Sequence, residues 1–152
     1  MSSAAPPNFP ERYRKGVWLF NQRYFFECHE ILEAEWRDAA GKEKLFYQML
    51  IHAAVTFVHW ENGNRKGVLS LAHTFDQKAA AVGCDEFMGL NIVHLRADMH
   101  ALIDPLRASP DLPLQAFAEV ATPVLAVNGF VPLECSEHEL AVLSREIKEE
   151  QD

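Results

Sequence analysis

Thirteen residues, Phe25 to Arg37, hold one histidine, four acids and a thiol among five large apolar side chains. At helical spacing His29 and Glu33 stand one turn apart and can point at a single ion. Imidazole with carboxylate suits Zn, Fe, Mn or Ni. Glu30, beside them, can act as a base toward a bound water. The pattern departs from HExxH, because Glu33 stands where the second histidine would be. The adjacent Cys28 diverges from His29 by about 100° on a helix, a poor nucleophile–base geometry, and reads as a core thiol.

A second polar stripe lies further along. Phe46, Met49, Leu50, Ala53, Phe57 and Trp60 recur as one apolar face. Gln48, His52 and His59 form a narrow polar seam beside it, flanked by Leu45 and Val55. The link between the two segments is short, so they are expected to pack antiparallel and bring the stripes together. His52 and His59 are two turns apart, about 10.5 Å along the axis, so at most one of them completes a site with His29 and Glu33. Gln48 then lies behind the ligands. The bland alternative is a buried polar network. In it Glu33 and Arg37 make a routine helical ion pair, and His29 donates to a carbonyl or to Gln48.

The elements that must position these groups are helices. The first is expected from about Pro10, with Tyr13, Val17 and Phe20 on one face, then a turn at Asn21-Gln22-Arg23. The second runs from about Phe25 to Ala39, with Phe25, Leu32 and Trp36 inward and Gly41 as its stop. The third covers Lys42 to Asn62. Asn62-Gly63-Asn64 supplies a C-cap, a left-handed residue and an N-cap. The fourth covers Lys66 to Val82 and ends at Gly83. Asn91 caps a fifth from Ile92 to Arg107, with Pro105 expected to disturb its last turn. Leu114 to Val127 reads as a short helix broken at Pro123. Ser136 and Glu139 form a capping box for a final charged helix to about Glu149. No strand is expected. The fold class is all-α, a single-domain bundle of about five to seven helices with antiparallel neighbours. Residues 1–8 are expected as a loose tail, 9–107 as the core, and 108–152 as a helical extension of the same domain.

The 152 residues carry 22 acids against 14 Lys and Arg, a formal charge of −8. That excess repels phosphate backbones, so nucleic acid is excluded as an expected partner. No apolar run has the length of a membrane span, and residues 1–7 lack the pattern of a signal peptide. The three cysteines, Cys28, Cys84 and Cys135, form no CxxC pair, so neither a disulfide framework nor a zinc knuckle is expected. The cytoplasm is the expected compartment. His73, His94 and His100 read as helix residues without acidic or cysteine neighbours at ligand spacing. The tail acids Glu146, Glu149, Glu150 and Asp152 read as a solvated face.

Two strings resemble a known family. The first is Phe20-Asn21, then Phe25-Phe26-Glu27-Cys28-His29-Glu30-Ile31-Leu32-Glu33, then Trp36-Arg37. The second is Phe46-Tyr47-Gln48-Met49-Leu50-Ile51-His52-Ala53-Ala54-Val55, with His59, Asn62-Gly63-Asn64 and Gly67 beyond. Together they resemble DUF309, small helical proteins of unknown function that carry the label of predicted metal-dependent hydrolases. The resemblance covers about Phe9 to Val82. Met49 stands where that family usually has Gly, and His52 where it usually has Gln, so the resemblance favours His59 as the third ligand.

The expected site is therefore a divalent transition metal held by His29, Glu33 and His59, with Glu30 as the catalytic base. Gln48, His52, Trp36, Arg37 and Asn62 line the surroundings. The substrate is an unidentified small molecule, and a homodimer is an expected assembly. Two competing functions stand beside this metal-dependent hydrolase. One is a helical interaction module presenting Trp18, Phe20 and Tyr24. The other is a metal-free small-molecule binder built on the same seam.

Overall fold

Helical periodicity governs the first two-thirds of the chain, and the helices appear where apolar spacing places them. The computed structural model describes residues 9–143. It contains α1 (Glu11–Asn21), α2 (Phe25–Asp38), α3 (Gly41–Glu61), α4 (Arg65–Val82) and α5 (Ile92–Ala108). A last helix, α6, occupies residues 137–143. The expectations for residues 1–8, for the final helix to Glu149 and for Glu146, Glu149, Glu150 and Asp152 lie outside the described residues.

Each inter-helix turn has a local cause. Between α1 and α2, Arg23 takes φ 69°, a left-handed conformation rare outside Gly and Asn. Its guanidinium donates to the carbonyl oxygens of Val120 and Phe117 and lies over the Phe117 ring, so distant contacts hold the turn. Between α3 and α4, Asn62, Gly63 (φ 70°) and Asn64 serve as C-cap, left-handed residue and N-cap. The Asn64 Oδ1 accepts from the Gly67 N–H at 2.9 Å. Gly83 ends α4 at φ 67°, and Asn91 caps α5 by accepting from the His94 N–H. Gly41 does not stop α2: with φ 61° it opens α3 instead, and α2 ends at Asp38.

The expected core residues are buried, except Trp36, which is half-buried. Phe25 and Leu32 of α2, and Phe46, Met49, Leu50, Ala53, Phe57 and Trp60 of α3, join Tyr13, Val17 and Phe20 of α1 and Val68, Ala72, Phe75 and Ala79 of α4. Helices α1–α2, α2–α3 and α3–α4 pack as sequential neighbours. Gly16 lets α1 sit directly on α2. A Cβ there would lie 2.6 Å from a methyl of Leu32, and the Gly16 carbonyl accepts from the Cys28 thiol at 3.3 Å.

Three expectations are corrected. A short antiparallel hairpin is present, β1 (Glu86–Phe87) with β2 (Leu90–Asn91), turned by Met88 (φ 48°) and Gly89 (φ 75°). Two consecutive positive φ values match the twist of a two-residue hairpin. Tyr13 pins it to α1 by donating to the Met88 carbonyl oxygen. Second, Pro105 does not break the last turn of α5, which continues to Ala108; the Pro105 carbonyl still accepts from Ser109. Third, Leu114 to Val127 is no helix. Only Phe117–Glu119 forms a 3-10 turn. The rest has no regular secondary structure and buries Val120, Pro123 and Leu125 with more exposed residues between them. Pro123 lacks an N–H and pushes Thr122 toward extended backbone. The segment's polar backbone is met by other elements: Leu125 N–H donates to Asn21 Oδ1 at 2.7 Å, and Trp60 Nε1 donates to the Gln115 carbonyl. The Ser136–Glu139 capping box forms as expected, with both reciprocal bonds.

Candidate metal centre

Helix α2 buries Phe25, Cys28 and Leu32. Side chains one residue to either side of that stripe end up half-buried, at the edge where α2 meets solvent. His29, Glu30 and Glu33 occupy this edge. His29 Nε2 lies 3.1 Å from Glu33 Oε2, and Nδ1 lies 3.4 Å from Glu30 Oε1. The Phe26 ring stands edge-on to the imidazole, 5.5 Å between centroids. The Glu30 side chain is the most covered of the three, at 10% exposure.

One nitrogen or oxygen from each of His29, Glu30 and Glu33 lies within 4.8 Å of the others. Among the described residues they are the one group of three or more His, Cys, Asp or Glu with that geometry. Imidazole and carboxylate at this spacing match the donor set of Zn, Fe, Mn or Ni. Glu33 has a second partner: Arg37 donates from NH2 to Oε1 at 2.9 Å. That side chain is 64% exposed, so it can swing away at little cost.

The second stripe does not join this group. His59 turns toward the start of α4, with Nδ1 3.2 Å from Asn64 Nδ2 and its ring over Gly67, where a Cβ would meet it at 2.5 Å. His52 lies against the Thr74 backbone of α4, and its Nδ1 is buried without a hydrogen-bond partner. Burial holds that ring below the ordinary histidine value. Gln48 is half-buried on α3, and Asn62 is the exposed C-cap of that helix. Trp36 is half-buried with Lys44 Nζ 4.5 Å from its ring centroid, a cation–π contact, and its Nε1 is buried without a partner. The geometry thus assembles His29, Glu30, Glu33 and Arg37 on one helix and leaves His52 and His59 at the α3–α4 contact.

Two acid–histidine contacts escaped the sequence reading. His94 Nε2 is 3.3 Å from Asp98, and His100 Nδ1 is 3.1 Å from Asp104. Both are i, i+4 pairs, so the expectation that these histidines lack acidic neighbours is wrong. His100 also reaches Asp76 of α4 at 2.9 Å, which only tertiary packing creates. Cys28 and Cys135 are buried free thiols, and burial raises Cys135 to about 11. No described helix is long and apolar enough to cross a membrane.

Residues 13–71 match the family model described as Domain of unknown function (DUF309). The match runs from α1 through most of the first half of α4 and contains all of α2 and α3. No curated protein matches the chain.

Proposed function

We propose that this chain, in which a DUF309 domain spans residues 13–71, binds one divalent transition metal at the α2 edge and uses it for hydrolysis of a small molecule. The observation that carries the reading is the convergence of His29, Glu30 and Glu33 within 4.8 Å. Glu30, expected as a base, stands near enough to serve as the third ligand. His59 faces α4, so the three proposed ligands all come from α2. Three protein ligands leave positions open for water and substrate, the arrangement of a catalytic rather than a structural site. When bound, such an ion lowers the pKa of a water molecule and polarises a carbonyl or phosphoryl oxygen. Phe26 packs edge-on against the His29 ring, and Arg37 holds Glu33 until an ion competes for it.

A second reading has its own support. The contacts Glu30–His29, His29–Glu33 and Glu33–Arg37 already link four polar side chains on α2, as a structural network does. Elemental analysis of chelator-free protein, beside His29→Ala, separates the two. Near-stoichiometric metal that disappears in the variant, with helicity retained, supports the metal centre. No metal in either, with a lowered melting temperature in the variant, leaves the structural network.

A further inference from the structure

His100 stands between two carboxylates. Nε2 is 2.9 Å from Asp76 Oδ2 on α4, and Nδ1 is 3.1 Å from Asp104 Oδ1 one turn along α5. A neutral imidazole has one N–H, so it can donate to only one of these acids and turns a lone pair to the other. The imidazolium donates to both. Two guanidiniums of α5 also lie close to this group. Arg96 Nε lies 3.6 Å from the other Asp76 oxygen, and Arg107 borders the same slot while donating to the Leu69 carbonyl of α4. Asp76 therefore receives two cations from α5, one permanent and one that depends on a proton. The same slot between the two helices is lined on its apolar side by Ala72 and Phe75 of α4 and by Met99 and Ile103 of α5.

We propose that Asp76, His100 and Asp104 form a proton-dependent clamp that docks α5 on α4, and that α5 loosens as pH rises. The hydrogen bond to Asp104, and then the Asp76 charge, hold the ring above its ordinary value of 6.5. The sign follows from the proton count. The folded chain keeps this proton at a pH where the unfolded chain has lost it, so the clamp is complete below 6.5 and lost as pH rises through the raised folded value. The groups are partly exposed, so solvent screens the contribution.

The test combines imidazole NMR with amide exchange on the full chain. The His100 titration midpoint is expected above 6.5, and lower in Asp76→Asn and in Asp104→Asn. Protection of α5 amides relative to those of α3, corrected for intrinsic rates, is expected to fall as pH rises through that midpoint. In His100→Gln, a surface change that leaves the core intact, this pH dependence disappears. The clamp is overturned by a midpoint at or below the ordinary value, by one that neither Asn variant moves, or by α5 protection whose pH dependence is absent or survives in His100→Gln.

Discussion

His29 and Glu33 meet one turn apart on α2, Nε2 to Oε2 at 3.1 Å, while Arg37 holds the other Glu33 oxygen at 2.9 Å. The acid is thus shared between the candidate metal ligand and a competing cation. Arg37→Gln removes the competitor and leaves the ligands in place. An exposed ion pair is worth about 0.2–1 kcal/mol, so zinc affinity by calorimetry is expected to rise by up to about fivefold. Weaker binding in the variant would mean that Arg37 orients Glu33 rather than competing for it.

Gly16 is the closest approach of α1 to α2. A methyl group there lands 2.6 Å from the buried Leu32 side chain. Overpacking costs about 1–3 kcal/mol, partly offset by about 1 kcal/mol of helix propensity. Gly16→Ala is expected to lower stability by up to about 2 kcal/mol in urea unfolding. An unchanged or raised midpoint would show that Leu32 relaxes freely.

His52 carries a pH dependence opposite to that of His100. Burial, helped by Lys78, lowers its pKa against an opposing hydrogen bond that the ring donates to the Thr74 backbone. As pH falls, the unfolded chain takes up a proton before the native chain does. Stability tied to this group is therefore intact above the ordinary value of 6.5 and drops as pH falls below it toward the lowered folded value. His52→Gln removes that slope, so the stability difference between variant and wild type is expected to shift in the variant's favour from pH 8 to pH 5. A difference independent of pH would show that the ring titrates as an exposed histidine.

Asn64 caps α4 and touches His59 through its amide. Asn64→Ala is expected to cost about 1 kcal/mol, or about 2–4 °C in melting temperature for a chain of this size. Asn64→Ser restores most of the cap. If the serine variant is no better than alanine, the contact with His59 is what matters at this position.

Local chemistry made much of the molecule legible from sequence. The apolar faces of α1–α4, the Asn62-Gly63-Asn64 turn, the Gly83 stop, the Asn91 cap and the Ser136–Glu139 box all depend on residues within one or two turns of each other. So does the His29–Glu33–Arg37 chain, because residues four apart on a helix are neighbours whatever the fold.

The tertiary structure alone decided the rest. A polar seam on α3 can turn toward either of its two neighbours, and periodicity does not say which. Packing sent His52 and His59 to α4, so His29 was left with acids of its own helix. Residues 114–127 form no α-helix, and Asn21, Arg23 and Trp60 meet their backbone from afar. The Asp76–His100 contact exists because α5 packs on α4. Each of these pairs groups far apart in sequence, and their geometry follows from how the apolar faces close, which no local spacing encodes.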